Sequence, residues 1–564
     1  MKSVLRTAGV LAVGAMLLAA CGSDTGTSGP GNGSHGGTNG NGGSSGIVTI
    51  SNESGATWTC NFNPFNPSVS GESAGTVYEP LAFMDTLQSG AVTPWLATSY
   101  AWSNGNKTLT WTIRQGVKWS DGTPLTAADV AFTFNLMKKF PGIDLSSLWA
   151  SHVLSSVTAV GNTVVMQFPQ AAVPDFYYIA DQTSIVPEHI WSTIKNPVTA
   201  TVSKPVGSGP YEVSTCTAEN IKYLANAGYW GGTPHIKEVD YPSYLSNNTA
   251  NDDLASGADQ WGAQFIPNIQ SFYSSKSSDY HYWFPPTVNV DVFINLKNSV
   301  LSALPVREAM AYAINRSQVS SVGEYGYEPP ANQTGIVTPT FSSWLDSSEA
   351  SQYNGYAYNP GKAISILQGA GYKKNSSGVF VSPSGQALSF RILNIGGYSD
   401  WVASVQIIET ELKAVGISIT PDNLSSNSYD TDLYNGQYQL AYGEETGGPT
   451  PYFELRQWLL SSNSAPIGQQ ASTNWERYEN AQTDSLINSY GATTDPGMQH
   501  QIVDQLEQVM LSDVPLIPIT EGVDWYEYDT ANLTGWPTQA DPYAQPAAFN
   551  TPDIEVVLLH LRTK

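Results

Sequence analysis

With 564 residues, of which 41% are hydrophobic and only 13% charged, the chain is long enough for several domains' worth of core. Its 48 Asp and Glu against 24 Lys and Arg give a formal net charge of −24, which argues against nucleic acid and anionic lipid headgroups as partners of the folded body. The exception to a globular composition is the front.

Residues 1–20, "MKSVLRTAGVLAVGAMLLAA", place Lys2 and Arg6 ahead of an apolar run that ends at Cys21. This pattern is a secretory leader, too short and wrongly flanked for a stable membrane span. Leu18-Ala19-Ala20-Cys21 resembles a bacterial lipobox, in which the cysteine sulfur accepts a diacylglycerol and becomes the new N-terminus. The weaker alternative is a cleaved leader followed by an incidental cysteine. Residues 22–46 are Gly, Ser, Asn and Thr with almost no apolar side chain, so they are expected to stay unfolded, with a reach of roughly 25–30 Å. A body on a tether near a membrane surface is the expectation.

Along the body, strands and helices alternate irregularly, as in an α/β protein. "KTLTWTIR" sets Leu109, Trp111 and Ile113 on one face at period two, a half-buried strand. Asp121-Gly122 follows as a tight turn, and "TAADVAFTFNLMKKF" reads as a helix with Thr126 as its cap and Asp129 completing a capping box. "TVVMQF", "VDVFINL", "SFRILNI", "YQLAYG" and "PLIPIT" predict further strands. "VREAMAYAINRSQV", "VQIIETELKAVG" (stopping at Gly416) and "HQIVDQLEQVM" predict amphipathic helices. The last apolar run, "DIEVVLLHL", reads as a strand. Cys60 and Cys216 remain after removal of the leader, in an exported chain where a disulfide can persist; two buried free thiols are the alternative.

Four stretches resemble, in order, the bacterial extracellular solute-binding proteins of family 5, the receptors of peptide, nickel and oligosaccharide ABC importers. They are "LTWTIRQGVKWSDGTPLTAADVAFTFNLM", "PVGSGPYEV" at 205–213, "VREAMAYAINRSQV" and "YNPGKAISILQGAGY" at 358–372. The resemblance implies an α/β, two-lobed fold of the periplasmic-binding-protein type II (cluster C) kind, with an extra subdomain in the first lobe. Carried over, residues 1–21 are the lipoprotein leader with its lipobox cysteine, 22–46 the linker, and 47–290 the first lobe, with the subdomain at about 80–204. Residues 291–515 become the second lobe and 516–564 the return to the first. The implied partners are the permease subunits of an ABC importer and a small ligand enclosed by hinge closure. The expected location is extracytoplasmic, lipid-anchored to the cell membrane, with the protein a monomer.

Nothing in the chain spells out catalysis. There is no HExxH, GxSxG or Walker loop, and the seven histidines are scattered without metal-ligand spacing, so no cofactor and no metal is expected. Adjacent Glu444 and Glu445 do not suit a glycosidase pair, because neighbours on a strand face opposite ways.

The ligand class rests on two signals. The stretch "YQLAYGEETGGPTPYFELRQWLL" lacks the aspartate with which peptide receptors of the family hold an ammonium, offering Glu444 and Glu445 instead. Aromatic and amide side chains gather in loops, as would suit pyranose faces and hydroxyl edges. The residues expected to bind are Trp58, Asn61, Asn63, Trp261 and Gln264 from the first lobe. Asn394, Trp401, Tyr442, Glu444 and Tyr452 come from the second, with Trp525 near the boundary. The tail, with "TGWPTQADPYAQPAAF", resembles the oligosaccharide branch that includes cello-oligosaccharide and β-glucan receptors. An oligosaccharide is therefore the expected ligand, and an oligopeptide or dipeptide the alternative. Trp536 and Tyr543 are expected to pack within the lobe.

Overall fold

The computed structural model describes residues 46–564 apart from 53–54, 56, 68, 70–72, 74, 89, 151–152, 339 and 347–355. The leader, Cys21 and the linker, with His35 and His152, lie outside the described residues.

Two large sheets organise a two-lobed, type II periplasmic-binding-protein fold. The first runs in the order Tyr280–Tyr282, Glu527–Asp529, Trp261–Ala263, Ile47–Asn52, Glu238–Pro242, Asn220–Ala225, Tyr211–Cys216. The second runs Ser418–Leu424, Ser389–Ile395, Leu440–Glu444, Pro286–Ile294, Leu516–Val523. A third, four-stranded antiparallel sheet, Ala97–Ser103, Thr108–Ile113, Thr163–Gln167, Ser156–Val160, carries the helix Ala127–Lys139.

The chain passes between the two large sheets twice. It leaves the first after Tyr282 and enters the second at Pro286, then leaves the second after Val523 and re-enters the first at Glu527. The lobe boundaries are expected at 290/291 and 515/516, whereas the crossings are residues 283–285 and 524–526. They also run side by side: the Trp283 N–H donates to the Tyr526 carbonyl (3.1 Å) and the Asp524 N–H to the Pro285 carbonyl (2.9 Å). Two adjacent crossings are the geometry of a hinge.

The local signals behave as their chemistry dictates. Leu109, Trp111 and Ile113 are buried while the residues between them are not fully so. Gly122 takes φ +86°, and Asp121 Oδ1 accepts the Thr123 N–H at 2.9 Å, which fixes the turn. Thr126 Oγ1 accepts the Ala128 N–H and Asp129 Oδ2 the Thr126 N–H at 2.8 Å, a complete capping box. In "PVGSGPYEV" the glycines serve close approach: a Cβ on Gly207 would lie 1.8 Å from the Val77 carbonyl oxygen, and one on Gly209 2.4 Å from that of Thr76. Cys60 and Cys216 form a disulfide (S–S 2.01 Å) that ties the loop after the first strand to the edge strand Tyr211–Cys216.

The tail corrects the strand expected at "DIEVVLLHL": Asp553–His560 is an α-helix. A short continuous apolar run cannot by itself distinguish a buried helix from a buried strand. Asp553 and Glu555 in the first turn suit a helix N-terminus, and residues 553–558 are all buried. The pairing at the chain end is made instead by Arg562–Thr563 with Leu533–Thr534. Trp536 packs edge-on against Trp261 (5.6 Å between ring centroids) and donates its indole N–H to the Asp529 carbonyl; Tyr543 donates to the Gly535 carbonyl.

A further contact joins the helix Pro451–Leu459 to the segment 144–178. Phe453 meets Tyr177 and Tyr178 at 5.0 and 5.2 Å. Arg456, 2% exposed, lies 4.7 Å from the Tyr178 ring and donates to the Ser146 carbonyl at 2.9 Å.

Candidate ligand cleft

The strand Leu440–Glu444 lies in the middle of the five-stranded sheet, beside Ser389–Ile395 and Pro286–Ile294. The loops beyond such strand ends are where α/β lobes assemble ligand sites. Glu444, its last residue, is opposite Val290 in register. The next strand, Leu516–Val523, makes room for the carboxylate with a glycine: a Cβ on Gly522 would meet Glu444 Oε2 at 3.2 Å.

Glu444 is exposed to solvent, and yet desolvation by the surrounding protein is the main cause that pushes its carboxyl up to about 8, with Asp524 and Asp400 adding to it. Glu444 therefore ends its strand open to solvent, with other acids close enough to raise its carboxyl. Glu445 points the other way and is buried, its carboxyl raised by burial and by Glu476 and Glu454. The two glutamates therefore serve opposite faces of the strand.

More carboxyl groups surround Glu444, all buried. Asp400 is pushed up to about 7 by burial, and Asp524 likewise to about 7. Glu324 and Glu328 are driven well above the usual carboxylate range by burial first; Glu328, Asp400 and Glu444 then raise Glu324, and Glu444 and Asp400 raise Glu328. Hydrogen bonds hold them in place: Ser404 Oγ donates to Glu324 Oε1 and Thr520 Oγ1 to Glu328 Oε2, both at 2.6 Å. No Lys, Arg or His figures among the strongest influences on these five acids. Among the described residues no group of His, Cys, Asp and Glu is placed to hold a metal ion.

Aromatic rings flank the acids. Phe265, Phe284, Tyr327 and Trp525 pack together, with Phe284 and Trp525 at 4.9 Å and Phe265 and Trp525 at 5.4 Å. Tyr325, 47% exposed, leans on Phe265 at 5.7 Å. In the segment 324–328, glutamates point into the protein and Tyr325 points outward.

Most of the residues expected to bind are occupied elsewhere. Trp58 stacks at a tilt on Tyr241 and donates to the Tyr241 carbonyl at 2.8 Å. Asn61 and Asn63 brace backbone: Asn61 Oδ1 accepts the Val202 N–H, and Asn63 Nδ2 donates to the Pro197 and Ala200 carbonyls. Trp261 is wholly buried and donates to the Pro546 carbonyl (3.0 Å), while Gln264 Nε2 reaches Ser51 Oγ and Asn251 Oδ1. Asn394 donates to Asn423 Oδ1, and Tyr452 stacks on Tyr490 at 3.9 Å, close to Asp175 and Arg456. Trp401 and Tyr442 meet edge-on at 5.6 Å and are both buried. Glu444 and Trp525 border the acidic space, Tyr442 backs it, and the rest pack or brace. Asp400, Asp524, Glu324 and Glu328 were not foreseen; the available signal was acid beside aromatic in "YSDW", "GVDWY" and "GEYGYE", with no basic residue nearby.

Comparison with known proteins adds four findings. The family described as bacterial extracellular solute-binding proteins, family 5 Middle, matches residues 91–466. The glutathione-binding protein GsiB of Escherichia coli K12 is 23% identical over 448 residues, covering 75% of this chain and 79% of its own. A periplasmic oligopeptide-binding protein of an oligopeptide ABC transporter from Thermotoga maritima, solved with mannohexaose bound, is 28% identical with a TM-score of 0.85, covering 92% of this chain and 99% of its own. The oligopeptide-binding protein AppA of Bacillus subtilis, solved with a nonapeptide, covers the same shares at 20% identity and a TM-score of 0.78. The relatives overturn the placement in an oligosaccharide branch: GsiB is a glutathione-binding protein, and both of these structures are of oligopeptide-binding proteins. The physical reason for the correction is that the loop aromatics and amides read as sugar platforms are mostly core and bracing residues.

Proposed function

The chain belongs to the bacterial extracellular solute-binding proteins of family 5, an extracytoplasmic, non-catalytic class that serves ABC importers, and on that premise we propose that it captures peptides. The observation that carries the reading is Glu444, a solvent-exposed carboxyl raised further by Asp524 and Asp400, with no Lys, Arg or His among the main influences on it. A peptide's α-ammonium brings three donors and a positive charge to such a carboxylate, and a charge-assisted pair in a desolvated site is far stronger than on a surface. The ring cluster of Phe265, Tyr325, Tyr327 and Trp525 offers an apolar wall for side chains. The relatives' names, glutathione-binding and oligopeptide-binding, support the same class.

Closure follows from the paired crossings at 283–285 and 524–526. Ligand that touches both lobes stabilises the closed state by its extra contacts there. The Leu-Ala-Ala-Cys motif and the Gly/Ser tether support lipid anchoring at Cys21, with the tether leaving the body free to reach a permease.

A thermal-shift series tests the ligand class: glutathione, Ala-Ala-Ala and N-acetyl-Ala-Ala-Ala beside manno- and gluco-oligosaccharides. Free-amine peptides should raise the melting temperature and the acetylated peptide should not. Stabilisation by the oligosaccharides alone would overturn the proposal.

A further inference from the structure

The acids of the cleft outnumber what one ammonium can neutralise. Asp524 is the charge that acts most strongly on Glu444, yet it belongs to a different element, the crossing from Val523 back to the first lobe. One of its oxygens is committed: Oδ1 accepts Thr287 Oγ1 at 3.2 Å, beside the other crossing, and Asn550 Nδ2 at 2.9 Å, from the tail. The other oxygen, Oδ2, has no hydrogen-bond partner although the residue is only 2% exposed. Leaving a buried carboxylate oxygen unpaired is costly, so a donor from outside the protein is the natural occupant. Glu324 Oε2 is likewise without a hydrogen-bond partner, and the charges that act most on the neighbouring Tyr442 are Glu324 and Glu328. Glu324, Glu328, Asp400, Glu444 and Asp524 thus face one region from four separate stretches of chain.

We infer that Asp524 forms a second anionic subsite at the hinge, which takes a second positive charge on the ligand beside the ammonium held by Glu444. This rests on the peptide reading and narrows it to peptides with Lys or Arg at the amino-terminal end. Because Asp524 ties Thr287 and Asn550 together, a cation on Oδ2 binds at the point where the two crossings meet the tail. Basic peptides then bind and close the lobes through one group.

Calorimetric titration of the full-length protein with Ala-Ala-Ala and Lys-Ala-Ala, at one pH and salt concentration, tests the inference. Wild type should bind Lys-Ala-Ala about tenfold more tightly. In Asp524→Asn, which keeps the side-chain shape, that ratio should fall to about one. Equal wild-type affinities for the two peptides overturn the second subsite while leaving the peptide reading standing. Failure of both peptides to bind overturns the two together. The wild-type ratio decides even if Asp524→Asn does not fold.

Discussion

Glu79 and Glu555 stand almost five hundred residues apart in sequence and share the same two donors. The Trp95 indole N–H reaches Oε1 of both, at 2.9 and 3.1 Å, and the Tyr229 hydroxyl does the same at 2.9 and 3.1 Å. Trp230 adds a further N–H to Glu79, and both glutamates are fully buried. Two carboxyl groups this close cannot both ionise in a dry site, so the pair holds a proton. This is what docks the terminal helix Asp553–His560 to the front of the body.

The shared proton makes that docking pH-dependent. Burial pushes Glu79 up to about 7 and Glu555 well above its usual range, Glu79 raising it further. The unfolded chain has already lost these protons near the ordinary glutamate pKa of about 4.3. The stabilisation is therefore complete below that value and declines as pH rises through about 7. Glu555→Gln cannot titrate and should flatten part of the fall in melting temperature between about pH 5 and pH 8. Melting curves of wild type and variant with the same pH slope would sink this account.

Peptide affinity should move the other way. Glu444 must lose its proton before it can pair with an ammonium, and it does so only near pH 8. Binding should strengthen by up to roughly tenfold per pH unit as pH rises towards that value, and release a proton on each capture below it. Titrations in two buffers of different ionisation enthalpy read the proton release directly. Glu444→Gln should lose both the pH dependence and most of the affinity.

Trp401 is a core residue in this fold. It is 8% exposed and meets Tyr398, Tyr429 and Tyr442 edge-on at 5.1, 6.4 and 5.6 Å. Trp401→Ala should destabilise the protein by about 3–5 kcal/mol, through lost burial and the cavity left behind. Denaturant unfolding checks this; a loss below about 1 kcal/mol would return Trp401 to the list of ligand contacts.

Arg456 is a cation from the helix Pro451–Leu459 buried against segment 144–178, where Asp175 and Asp144 lie close enough for its charge to lower their carboxyls against the larger upward push of burial. Arg456→Ala leaves those acids without their cation and should cost about 3–5 kcal/mol. Arg456→Lys keeps the charge but gives up the planar guanidinium over Tyr178, so it should fall between the two. A lysine variant as unstable as the alanine one would show that geometry, not charge, is what matters.

Gly207→Ala is the sharpest test of the second motif. Its new Cβ would lie 1.8 Å from the Val77 carbonyl oxygen, so the backbone must move. Loss of soluble expression or a destabilisation above about 4 kcal/mol is expected.

Sequence alone reached what depends on short-range chemistry. The period of two in "LTWTI", the Asp121-Gly122 turn and the Thr126/Asp129 capping box are each decided by a few neighbouring residues, and four such stretches in order identify the fold. Local chemistry could not decide the tail, because the short apolar run inside "DIEVVLLH" suits a buried strand as well as a buried helix, and only the space beside Glu79, Trp95 and Tyr229 makes it a helix bound through a shared proton. Nor could it decide the ligand. Whether a tryptophan in a loop faces a sugar or a core depends on what the rest of the chain packs against it, and Trp261 and Trp401 proved to face core. The acidic cleft is likewise a product of tertiary structure: Glu324, Asp400, Glu444 and Asp524 are far apart in sequence, and only folding brings these like charges together, burying all but Glu444 and raising every pKa.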